Sequence, residues 1–168
     1  MIQRRRKHKS GGNAVLEIAL VMLPTLAIIC AFFDISIALF SWSTIQNAVR
    51  EGCRYAITFQ TGANGQDSAI ELVVQANSMG LASATAKPQL IFVNYFAPGA
   101  PNTAIAAPNG NVPGNIVEVS IQGYTLSQLA PISGTLANPY RSTSPASIAV
   151  YSSDILGGYP AGVNGVTR

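Results

Sequence analysis

The chain has 168 residues, only 10% of them charged, and a mean hydropathy of +0.30, a balance that suits one membrane segment plus one small domain. The formal charge of +3 misleads. Arg4, Arg5, Arg6, Lys7 and Lys9 lie in the first twelve residues, while the other five basic side chains meet seven acids and leave residues 13–168 at −2. That excludes the basic face a nucleic-acid binder needs on its folded part, and the leader's positive cluster is read as a membrane-orientation signal.

The leader MIQRRRKHKSGG ends at Gly11-Gly12 and abuts Asn13-Ala14-Val15-Leu16-Glu17, after which Ile18 to Phe33 carries no charge. Sixteen residues make about 24 Å of helix. Ala14 to Leu16 before the run and Ile35 to Phe40 after it supply the margin up to the roughly 20 apolar residues a span needs. Asp34 then falls near one interface and Trp42 just past it, where an indole is favoured, and the basic leader stays cytoplasmic with the C-terminal part outside. Pro24 predicts a bend, because it removes a backbone donor and crowds the preceding turn; membrane helices tolerate this. A cleaved secretory signal is the competing reading, with Ser36-Ile37-Ala38 as a small-x-small site. The apolar run is longer than a usual signal core, however, and an acid enters at its start.

Glu17 carries the chemistry of this segment. An acid near the centre of a membrane helix costs on the order of 2.5–3.5 kcal/mol. If a peptidase cuts after Gly12, the new α-amine of Asn13, largely cationic at neutral pH, lies one helical turn from the Glu17 carboxylate. In a low-dielectric core that attraction is far stronger than at a wet surface. Uncut, Glu17 reads as a solvated acid at the headgroups. Asp34 either marks the outer end of the span or contacts a neighbouring helix.

The helical pattern continues past the interface. Ile45, Ala48, Val49, Gly52, Cys53 and Ala56 recur at spacings of three and four, and Ala48, Gly52 and Ala56 place small residues four apart, allowing another helix to approach closely. Arg50, Glu51 and Arg54 take the other side, with Glu51 and Arg54 at a favourable spacing. Asn13 to about Thr58 is predicted as one rod of nearly 70 Å, broken by Gly62-Ala63-Asn64-Gly65. On such a rod Cys30 and Cys53 are about 35 Å apart, too far for a disulfide within the chain. Cys53 pairing with another chain is the lesser alternative.

A second helix is predicted from a Ser68-Ala69-Ile70-Glu71 capping box, with Ile70, Val73 and Val74 on its apolar face and Gly80 as its stop. The remainder reads as sheet. Gln89 to Phe96 is rich in β-branched and aromatic residues, Ile116 to Tyr124 alternates Val117, Val119 and Ile121 against Glu118, Ser120 and Gln122, and Ala146 to Tyr151 is a shorter strand. Residues 97–115 hold four prolines and three glycines and are read as one long loop, of a length that is usually functional or disordered. Residues 125–145 are also turn-rich. The expected fold class is α+β: a long N-terminal transmembrane helix extending outside the membrane, then a short helix and a small antiparallel β-sheet domain.

Catalytic patterns are not visible. The one histidine, His8, is in the leader, so no Ser-His-Asp or Cys-His system is available outside the membrane. Clustered zinc ligands are lacking, as is a phosphate loop. Asp67 and Glu71 are an ordinary acidic first turn. The expectation is no enzyme, no cofactor, no metal and no small-molecule substrate.

Three stretches carry a family resemblance: Gly12-Asn13-Ala14-Val15-Leu16-Glu17; Asn47-Ala48-Val49-Arg50-Glu51-Gly52-Cys53-Arg54-Tyr55-Ala56; and, more loosely, Val117-Glu118-Val119 through Pro131-Ile132-Ser133-Gly134. On these the chain resembles the TadE-like family of pilin-like proteins from tight-adherence (Flp) pilus systems, with the element around Arg50, Glu51, Gly52, Arg54 and Tyr55 the most specific part. The resemblance implies a minor pilin or pseudopilin cut after Gly12 by a prepilin peptidase. Other pilin-like subunits, inner-membrane assembly machinery and membrane lipid would be its partners. The residue after Glu17 is Ile18, where the family often has an aromatic. The expected organisation is a leader (1–12), a transmembrane helix (13–41), its outer continuation (42–62) and an extracytoplasmic α+β domain (63–168). The leading expectation has Glu17 neutralising an Asn13 amine while the Ala48-Gly52-Ala56 face packs helices. The alternatives are a single-pass envelope binding module that uses the 97–115 loop without cleavage, and a soluble secreted protein beginning near residue 39.

Overall fold

The structure, a computed structural model, describes residues 11–84, 89–126, 147–163 and 165–168. The basic leader up to Ser10, the segment around Pro131-Gly134 and Ala146 lie outside the described residues, as do the side chains of Gly12 and Asn13. The chain divides into two units. Of the described residues, Gly11–Ile37 belong to the first, and those from Ala38 onward to the second.

Helix α1, Gly11–Ile57, is continuous over 47 residues and contains Pro24. An 18-residue window of it has a mean hydropathy of 2.4, long and apolar enough to cross a membrane. Thr25 and Ser36 turn their hydroxyls back onto the carbonyls of Val21 and Phe32, at 2.7 and 2.8 Å, so both satisfy their polar groups within the helix. In this first stretch the large side chains are exposed, Leu23 at 75% and Val15 at 69% among them.

Helix α1 ends at Ile57, within a residue of the expected Thr58 and ahead of the glycines at 62 and 65. Phe59 takes a left-handed conformation (φ 52°), and its N–H donates to Ala56 O at 3.2 Å. Its ring is buried and meets Tyr159 with centroids 4.6 Å apart, so tertiary packing holds a non-glycine residue in a conformation that is usually costly. Gly62 and Gly65 instead close a tight turn through reciprocal backbone bonds.

Helix α2 is Gln66–Asn77. The capping box expected at Ser68 is not formed. Gly65 is the N-cap without a side-chain bond, Ser68 lies inside the helix with its hydroxyl donating to Gly65 O at 3.3 Å, and the Glu71 carboxylate accepts from Gln89 Nε2 at 3.1 Å. The helix also stops before Gly80, at Asn77, where the Ser78 hydroxyl sits 2.8 Å from Gln75 O and accepts from Ala82 N–H.

Four antiparallel strands follow, β1 (Ile91–Ala97), β2 (Ala100–Ala104), β3 (Ile116–Thr125) and β4 (Ser147–Ile155), in the order β2-β1-β3-β4. This is the α+β class read from the sequence. Two details differ. Strand β2 lies inside the stretch read wholly as loop, as the second arm of a tight hairpin with β1, and all five of its residues are exposed. The third predicted strand runs on to Ile155. Gly123, at φ 75°, sits where the β3–β4 register shifts between Ile121 and Tyr124, a place where a bulge calls for glycine.

One sheet face carries Val93, Tyr95, Val117, Val119, Ile121 and Val150 into a core completed by Ile45, Val49 and Cys53 of α1 and Ile70 and Val74 of α2. Ser120, expected on the open face with Glu118 and Gln122, is fully buried even so, and Gln122 Nε2 donates to its hydroxyl at 3.0 Å.

Candidate assembly surface and the cluster beneath helix α2

Glu17 is exposed on α1 in a patch formed with Ala14, Ile18, Val21, Met22 and Thr25. The helical backbone already includes Gly12 and Asn13, so residues 13 and 17 are one turn apart along the axis. Asp34 is half-buried and engaged in an interaction of its own. These two acids lie in a stretch whose large apolar side chains are exposed.

The second small-residue set is placed differently. Ala48, Gly52 and Ala56 are all buried, and a side chain on Gly52 would run into Val74 Cγ2, with Val119 Cγ1 at 3.4 Å and Ile70 Cγ2 at 3.6 Å. The helix that approaches this face is therefore the chain's own α2, and the face is closed to a neighbouring subunit. Tyr55 is half-buried against the same core. On the opposite side Arg54 Nη1 bonds Glu51 Oε1 at 3.0 Å, and Arg50 is exposed. Cys53 is buried, and its thiol donates to Ser152 O at 3.0 Å. Burial pushes its pKa up, so pairing with another chain has neither access nor a ready thiolate.

The densest polar arrangement was invisible in the sequence. Arg168 Nε donates to Asp67 Oδ2 at 2.8 Å, and its Nη1 donates to Ile105 O and Asn109 O at 3.0 and 2.8 Å. Nη2 lies 3.4 Å from Val93 O, and the guanidinium carbon sits 4.5 Å from the centre of the Tyr95 ring. Tyr95 in turn donates its hydroxyl proton to Asp67 Oδ1 at 2.8 Å. Burial, then the Asp67 charge, push the Tyr95 pKa far up, with Arg168 opposing; the phenol stays a donor. Beside it the fully buried Gln66 donates to Ala56 O at 2.8 Å and accepts from Asn111 at 3.1 Å, and Asn111 also donates to Val166 O at 2.7 Å. No spacing rule links residues 67, 95 and 168. A polar Gln66-Asp67 pair opening a helix was the only local sign.

Among the described residues no three His, Cys, Asp or Glu side chains gather to hold a metal. What the described residues define is a chain with one membrane-length apolar helix and a small α+β unit. Residues 12–54, about a quarter of the chain, match the family model described as TadE-like protein, so this segment is similar to that family. No curated protein and no solved structure matches the chain.

Proposed function

We propose that the chain is a minor pilin or pseudopilin, or a membrane-anchored assembly component, of a tight-adherence pilus, matured by a prepilin peptidase that cuts after Gly12. The observation that carries this reading is the TadE-like match, which starts at Gly12 and runs through Arg50, Glu51 and Arg54. Exposed apolar side chains along the matched helix support a part that works in lipid or against other subunits.

In this reading the helix holds the precursor in the inner membrane, with the leader cytoplasmic and the α+β unit outside. Cleavage creates a cation at Asn13 beside the anion of Glu17, and mutual neutralisation lets both enter an apolar assembly. The role is structural, without catalysis or a cofactor. The mass of the membrane-extracted protein should correspond to loss of residues 1–12; a mature form beginning at Met1 removes the processing step from the proposal.

A further inference from the structure

Tyr159–Val163 and Gly165–Arg168 lie against the α+β unit as an arm. Thr167 O accepts from Gln66 N–H at 2.9 Å and Val166 O from Asn111. Gly65 fits under the arm only because it lacks a side chain, which would meet the Arg168 carbonyl. At the arm's start Gly157 and Gly158 are exposed, and a Cβ on Gly158 would touch nothing within 4 Å, a sparsely packed pivot. The Arg168 guanidinium joins α2 (Asp67), β1 (Val93, Tyr95) and the segment after β2 (Ile105, Asn109).

We propose that Arg168 is the built-in ligand of a guanidinium-selective site, formed by Asp67, the Tyr95 ring and the carbonyls of Val93, Ile105 and Asn109, whose filling fixes residues 105–111 in place. The lining is all acceptor: one carboxylate, three backbone carbonyls and an aromatic face. A planar fork of five N–H donors serves acceptors in three directions at once, while its face stacks on the ring; a compact ammonium cannot do both. The guanidinium is nearly enclosed, with the Arg168 side chain 9% exposed, and it ties the carbonyls of Ile105 and Asn109 to Asp67 on α2. Their segment closes on β1 through Ile105 N–H to Tyr95 O at 2.8 Å and the close approach of Gly110 to the Tyr95 Cβ. Without Arg168 the segment loses that tie to α2, and the site is left for a small guanidinium ion from solution to fill.

The test uses full-length protein in detergent and hydrogen exchange resolved by segment. In Arg168→Ala, amides of residues 105–111 should exchange about tenfold faster or more while those of β3 keep their rates. Millimolar N-ethylguanidinium should restore protection, and n-butylammonium should not. Arg168→Lys should behave like Arg168→Ala. Equal rescue by both cations, no rescue by either, or uniform acceleration that includes β3 would each overturn the proposal. Should Arg168→Ala fail to fold, Asp67→Asn keeps the shape and removes the charge. It should loosen residues 105–111 alone, and unchanged exchange there would equally defeat the assignment.

Discussion

The two parts of α1 share one helical period and meet opposite surroundings. From Val15 to Phe40 the large apolar residues are exposed, whereas from Ser41 to Phe59 the apolar positions Ile45, Ala48, Val49, Cys53 and Ala56 are shut into the core with α2 and the sheet. Small residues at four-residue spacing are therefore no guide to an interface between subunits. From Ser41 onward they admit the chain's own α2, and the exposed apolar surface is left on the stretch around Glu17. A helix has one way to pack tightly and several possible partners for doing so.

The sharpest way to break that contrast is a bulky residue at Gly52. Gly52→Leu should destabilise the α+β unit by about 3 kcal/mol or prevent its folding, since the added atoms meet Val74 and Val119 in a filled core. Leu26→Ala, on an exposed position of the first stretch, should leave the melting of that unit unchanged, as read by tyrosine and tryptophan signals. Equal melting losses in both variants would erase the distinction. Glu17→Gln should abolish piliation, scored by microscopy, and leave the same melting curve untouched; normal pili would refute the charge-pairing role.

Smaller effects separate partly buried from exposed charge. Burial, then the neighbouring Asp67, raise the Glu71 pKa above the ordinary carboxylate range. Folding thus favours the protonated form, and this group makes stability fall as pH rises from the unfolded pKa through the folded one. Glu71→Gln should therefore stabilise the unit modestly at neutral pH, with the advantage vanishing in acid below the usual carboxylate range. The Arg54–Glu51 pair lies at the surface, its arginine side chain 74% exposed. Arg54→Ala should shift unfolding by no more than about 0.5 kcal/mol, and less in high salt.

Much of the architecture was legible because it follows local periods. The apolar run of α1, the alternation of Val117, Val119 and Ile121, and the Glu51–Arg54 spacing each express a repeat of 3.6 or 2 residues. Errors came where a residue's neighbour is distant in sequence. Ser68 lost its cap because α2 begins three residues earlier, over Thr167 and Arg168. Strand β2 escaped notice because its Pro101-bearing sequence has little strand character, and its pairing comes from β1 across a tight turn.

Taken alone, the order of amino acids determined that one segment is apolar enough for a membrane, that an acid sits near its start beside Gly12, and that helices precede a sheet. These depend on composition and short-range spacing. Tertiary structure alone decided which face of α1 is consumed within the chain, and that Asp67, Tyr95 and Arg168 meet around one buried charge. Such contacts are fixed by packing across long stretches of chain, where the steric fit of Gly52 or Gly65 against a remote partner outweighs any local preference.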